Sequence, residues 1–140
     1  MTLEFQESQC FVCGPSNERG LGVTFWLSED NSKCFGEWTS SQSYVGYDTT
    51  THGGILFCLL DDVMANLFSL QGYICVTAKA SVRFHRPLDI GETVLLVSNL
   101  VTRKRNLVII DATATRKTDG LVVASSTGHF MLKGQHGRNV

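Results

Sequence analysis

The chain has 140 residues, of which 43% are hydrophobic and 18% charged, with 12 basic side chains against 13 acidic ones. Disorder needs low hydrophobicity and high net charge, and nucleic-acid binding needs a basic excess; a net charge of −1 on this composition excludes both as the chain's general character. The longest apolar run, Ile55 to Leu60, is six residues, far short of the roughly 18 that a membrane span requires.

One domain is expected over residues 1–140, with residues 10–22 as an N-terminal loop and 133–140 as a frayed tail. Residues 1–7 are acidic and lack the basic and apolar regions of a secretory signal, so the cytoplasm is the expected compartment. Five cysteines, an odd number, do not read as a disulfide framework. Cys10-Phe-Val-Cys13 has the spacing of metal and redox pairs. A zinc site would need two more ligands, and redox chemistry would need a thioredoxin-like context. The expected reading is a structural pair of small buried thiols, with metal binding and redox chemistry as the alternatives.

Gly14, Pro15, Ser16, Asn17 and Gly20 make Cys10 to Leu21 a loop. Val23 to Leu27 and Lys33 to Trp38 alternate like strands on either side of the turn-rich Ser28 to Ser32, which predicts a hairpin. Ser40 to Thr51 is a long polar loop. Gly53 to Leu70 is apolar on nearly every side and free of proline, the pattern of a buried helix. Thr50 or Thr51 is its expected N-cap, and Gly72 sits just past its end. Thr77 to Phe84, Thr93 to Val101, Leu107 to Thr115 and Leu121 to Leu132 then read as strands in an antiparallel meander. The order β-β-α-β-β-β-β defines an α+β domain in which a curved antiparallel sheet of about six strands covers one long central helix.

Within that helix Asp61, Asp62 and Asn66 stand out. A carboxylate on an apolar helix costs several kcal/mol unless it is hydrogen-bonded or its pKa shifts, and groups kept in such places tend to be functional. His52-Gly53-Gly54 opens the helix. Paired glycines admit close approach of another backbone or a ligand, and free N–H groups there favour negative charge, a developing oxyanion included. The plain structural alternatives are tight helix–sheet packing for the glycines and a satisfied polar group for Asp61. Gly53 and Asp61 lie about 12 Å apart along one helix, too far to serve one carbonyl carbon. Joint action therefore predicts an obligate dimer, with two helices antiparallel across a two-fold and Asp61 of one chain near Gly53 of the other. Asp62 lies about 100° round the helix from Asp61 and can bond Asn66 at i, i+4.

The run His52-Gly-Gly-Ile-Leu-Phe-Cys-Leu-Leu-Asp61 resembles the signature of hotdog-fold acyl-CoA thioesterases of the phenylacetate-degradation type. Val82-Arg-Phe-His-Arg-Pro87-Leu-Asp-Ile-Gly91-Glu92 matches that family's strand and following turn, and Cys10 to Leu21 is similar to the N-terminal stretch of one branch. The resemblance covers residues 10–132. It implies the hotdog fold and hydrolysis of an acyl-CoA to free acid and coenzyme A. It further implies that the Gly53 N–H polarises the thioester carbonyl, that Asp61 is general base or nucleophile, that Thr77 orients the carboxylate or water, and that His52 holds the loop. The family spacing favours Asp61 over Asp62. Some members carry Asn or Gln six residues before the histidine; this chain has Val45-Gly46 in that region, leaving Tyr47 or Asp48 to replace the contact.

Arg103-Lys104-Arg105 is the densest basic patch, and Arg83, His85 and Arg86 form a second. Either suits the phosphates of coenzyme A, or is a solvated surface. Gly54, Asp62, Arg86, Arg103 and Arg105 make up the expected substrate-binding set. No metal and no cofactor apart from the substrate's own coenzyme A is expected, nor a nucleic-acid or membrane partner. The expected assembly is a homodimer with shared sites, alone or as a dimer of dimers, a homotetramer. A hydratase or dehydratase on this fold would carry Asp and His five apart around Asn-Pro, whereas Asp48 and His52 are four apart around three threonines. A non-catalytic acyl-ligand binder would not need Asp61.

Overall fold

The computed structural model describes residues 9–135. The expected hairpin forms from β1 (Phe25–Leu27) and β2 (Lys33–Thr39), paired antiparallel. Its turn is closed by the Asp30 carboxylate, which accepts from the hydroxyls of Ser28 and Ser32 at 2.8 and 2.7 Å. The polar loop that follows is more ordered than its composition suggests. After one helical turn at Gln42–Tyr44, β3 (Val45–Tyr47) and β4 (Thr50–Thr51) form a small two-stranded sheet of their own.

The central helix α1 (Gly53–Ser69) follows, then β5 (Tyr73–Phe84), β6 (Thr93–Lys104), β7 (Leu107–Arg116) and β8 (Val122–Gln135). The main sheet has six strands in the order β1-β2-β6-β7-β8-β5, the hotdog arrangement of one long helix on an antiparallel sheet. α1 touches all six strands. Its Leu59, Leu60, Val63 and Met64 are fully buried against Val108, Ile110, Ala112 and Ala114, every second residue of β7.

Two expectations change. The meander holds only for β6, β7 and β8; β5 pairs with β8 and not with β6. The link between β5 and β6, residues 85–92, is no hairpin turn. Leu88 is fully buried, its carbonyl accepts from the Thr51 N–H at 2.7 Å, and the Ile90 N–H reaches the Thr49 carbonyl at 2.8 Å. This anchored link carries the chain past β7 and β8 to the far side of the sheet. The N-cap of α1 is His52, not a threonine: its Nδ1 accepts from the Gly54 N–H at 2.9 Å. Thr51 is unavailable because its buried hydroxyl is bonded to that of Ser40. Gly72 does lie past the helix end, at a φ of +97° that a side chain would strain.

β8 runs to Gln135, so residues 133–135 of the expected tail belong to the sheet. Residues 136–140 and the acidic start, 1–8, lie outside the described residues. Among the described residues no helix is long and apolar enough to cross a membrane.

Candidate active site

Asp61 projects from the middle of α1 towards β5, half-buried. There the Thr77 hydroxyl donates to its Oδ1 at 2.7 Å. A bulge sets this contact. Thr77 lies opposite Phe130, a core residue, whereas Lys79 lies opposite His129, leaving Ala78 as the extra residue on β5. Such bulges re-aim side chains locally. Burial pushes the Asp61 carboxyl above its usual range, and the Thr77 bond pulls it partly back. Cys75, on the same strand, has its thiol pushed up to about 12 by burial and by the charge of Asp61. Cys58 is raised chiefly by burial too. Both shifts favour the protonated thiol, a poor nucleophile.

The second half of the site is the start of α1. His52 takes up the Gly54 N–H, while the Gly53 N–H has no acceptor among the described residues. A Cβ on Gly54 would stand 3.1 Å from both Cε1 and Nδ1 of His52, so a side chain there would crowd the imidazole cap by a few tenths of an ångström. A Cβ on Gly53 would stand 3.3 Å from the Phe84 ring. Gly53, Leu56, Phe84, Arg86, Pro87 and Leu88 border a groove of about 360 Å³. A free N–H at a helix start, opening into an apolar groove, can stabilise an oxygen that gains negative charge.

Within one chain these halves stay apart, since eight residues of helix separate Gly53 from Asp61 by about 12 Å. Among the described residues β5, which carries Thr77, is an edge strand paired only with β8. Its Val76 and Phe84 are 45% and 51% exposed.

The remaining expected residues divide. Arg86 borders the groove at Gly53, with Nη1 donating to the Val122 carbonyl at 2.8 Å. Arg103 lies beyond the other end of α1, over the rings of Phe68 and Tyr73 at 5.7 and 5.5 Å, and donates to the Arg105 carbonyl at 3.1 Å. Neither Arg103 nor Arg105 meets Asp61. Asp62 faces the N-terminal loop, where it accepts from Asn66 Nδ2 at 3.1 Å and lies 3.8 Å from Cys10 Sγ. Its own chain gives it no place in the groove. The sequence reading missed Phe84 as the wall against Gly53; an aromatic residue ending a strand just before His85-Arg86-Pro87 was the available signal.

A family model described as Thioesterase superfamily matches residues 49–123, a span that includes His52, Gly53, Asp61 and Thr77. No curated protein sequence matches the chain. Among solved structures, the PaaI protein from the phenylacetic acid degradation operon of E. coli is similar with a TM-score of 0.78 at 19% identity, over 95% of each chain. A hypothetical thioesterase protein of Streptococcus pneumoniae TIGR4, solved with coenzyme A, has a TM-score of 0.73 at 19% identity, over 81% of this chain and 92% of its own. The smu.793 protein of Streptococcus mutans UA159, bound to acetyl CoA, has a TM-score of 0.72 at 23% identity, over 81% of this chain and 90% of its own. At these identities the likeness is one of fold.

Proposed function

Because the chain belongs to the thioesterase superfamily, we propose that it hydrolyses an acyl-coenzyme A thioester to the free acid and coenzyme A. The observation that carries this reading is the half-buried Asp61 carboxylate, held by Thr77 at 2.7 Å on an otherwise apolar helix. A carboxylate raised above its usual range by burial is a stronger base than one in water. The Thr77 hydroxyl occupies Oδ1 and leaves Oδ2 for a water or for direct attack on the thioester carbon. Either way the C–S bond breaks, coenzyme A leaves as the thiol, and water supplies the new oxygen of the acid.

The Gly53 N–H is the donor for the carbonyl oxygen as it gains charge, with His52 holding the helix start in place. Gly54 serves through the cap it allows His52. Arg86, at the rim of the groove, is the cation placed for a phosphate of coenzyme A. Two chains share each site. Pairing through the free edge of β5 sets two helices antiparallel and brings Asp61 of one to Gly53 of the other. The S. pneumoniae and S. mutans neighbours, which hold coenzyme A and acetyl CoA, support the substrate class.

The test is release of free thiol from a panel of short aliphatic, long aliphatic and aromatic acyl-CoAs. Turnover of at least one group, lost in Asp61→Asn, is the expected result. No turnover across the panel by folded protein overturns the reading.

A further inference from the structure

We propose that Cys10, Cys13 and Asp62 form a binding site for a thiophilic divalent cation of the zinc type, which fastens the N-terminal loop to α1. This departs from the expectation that the chain holds no metal, and it does not depend on the hydrolase reading. The CxxC pair alone offers two ligands. The fold brings a third from 52 positions away, with Cys10 Sγ 3.8 and 4.0 Å from the two carboxylate oxygens of Asp62. One ligand atom from each of the three residues lies within 4.8 Å of the others. A tetrahedral zinc ion, with bonds of about 2.3 Å to sulfur and about 2.1 Å to oxygen, sets S···S edges near about 3.8 Å and S···O edges near about 3.6 Å. The Cys10–Asp62 separation is close to such an S···O edge, and the other two pairs, within 4.8 Å, need close by no more than about 1 Å.

The backbone around the cysteines is shaped for ligation. The Gly14 N–H donates to the Cys10 carbonyl at 2.8 Å, closing a tight turn, and the Cys13 N–H points at Cys10 Sγ at 3.4 Å. That N–H holds the Cys10 sulfur on the side of the turn that faces Asp62. Asn66 Nδ2 donates to the Asp62 carboxylate at 3.1 Å and to the Asp62 carbonyl at 2.9 Å, and lies 4.0 Å from Cys13 Sγ, holding the carboxylate beside the cysteines. A water completes the four-coordinate shell.

Charge points the same way. Among the described residues no Lys, Arg or His bonds to or pairs with Cys10, Cys13 or Asp62. Partly buried acids gathered without a countercharge are what a dication relieves. Two sulfurs and a carboxylate select zinc-type ions over magnesium or calcium. Cys34, Cys58 and Cys75 lie outside the cluster.

The experiment uses the full chain, reduced and freed of metal, titrated with Zn²⁺ against a chromophoric chelator and separately with Co²⁺. Expected are one ion per chain, the thiolate-to-cobalt and tetrahedral d–d bands of bound Co²⁺, and a Tm that rises with Zn²⁺. Cys13→Ser and Asp62→Asn should weaken binding by about tenfold or more, and Cys75→Ser should not change it. Binding that is substoichiometric, or that survives in Cys13→Ser, overturns the proposal. So does a count of three free thiols, in place of all five, in protein denatured before any reductant is added, which would make Cys10 and Cys13 a disulfide. If Cys13→Ser does not fold, the wild-type cobalt spectrum and Cys10→Ser decide the matter.

Discussion

Thr77 on β5 donates its hydroxyl to Asp61 on α1 at 2.7 Å, across 16 positions of sequence. The bond joins the central helix to a strand whose other edge is free. It fixes one carboxylate oxygen and sets the direction of the other. An ionisable group at the boundary between core and open strand edge can be desolvated and still meet a substrate.

Asp61→Asn should lower kcat by about 10²–10⁴-fold, the usual contribution of a positioned base. The amide keeps the shape and can still accept from Thr77, so circular dichroism and Tm should stay close to wild type. Asp62→Asn should cost less than about tenfold in kcat, because its carboxylate faces Cys10 and Asn66. A reversed ranking of the two would move the base to Asp62.

Thr77→Val should lower kcat with little change in KM, the pattern for an interaction made chiefly in the transition state. Thr77→Ser, which keeps the hydroxyl, should restore most of the rate. A rise in KM alone would make Thr77 part of the binding wall.

The helix was legible because it is apolar on nearly every side, free of proline and long enough to exclude a strand. The strands were legible from their alternation and turns. Which strand lies beside which was not. β5 has no buried residue and only a weak alternation at Ala80 and Val82, so its pattern names no neighbour, and the anchored link through Leu88 leads it away from β6, against β8. The helix cap was misplaced because Thr51 bonds Ser40, 11 positions earlier, a pairing that only tertiary structure creates. Phe84 over Gly53 and Cys10 beside Asp62 belong to the same class. Each joins segments whose local patterns carry no trace of the other.

Phe84→Ala should alter the acyl profile more than it alters folding. The ring borders the groove, packs on Gly53 and is 51% exposed, so its removal leaves no sealed core cavity. Bulkier acyl groups should gain relative to short ones in kcat/KM across the panel. An equal loss for every acyl group would show that the ring holds the helix start and does not shape the pocket.

Mixing two inactive variants tests whether the site is shared between chains. Asp61→Asn removes the base, and Gly53→Val fills the groove where a Cβ would stand 3.3 Å from the Phe84 ring. In an equal mixture that exchanges subunits, half of the dimers are mixed. Each mixed dimer has one site with both defects and one with neither, so activity should return to about a quarter of wild type. Sizing of each parent first establishes that it is dimeric, and Gly53→Ala offers a milder substitute if valine disturbs the helix start. Parents that are dimeric and exchange, yet recover nothing, would place a complete site within each chain. The roughly 12 Å between Gly53 and Asp61 along α1 argues against that outcome: no motion short of unwinding the helix brings both to one carbonyl carbon.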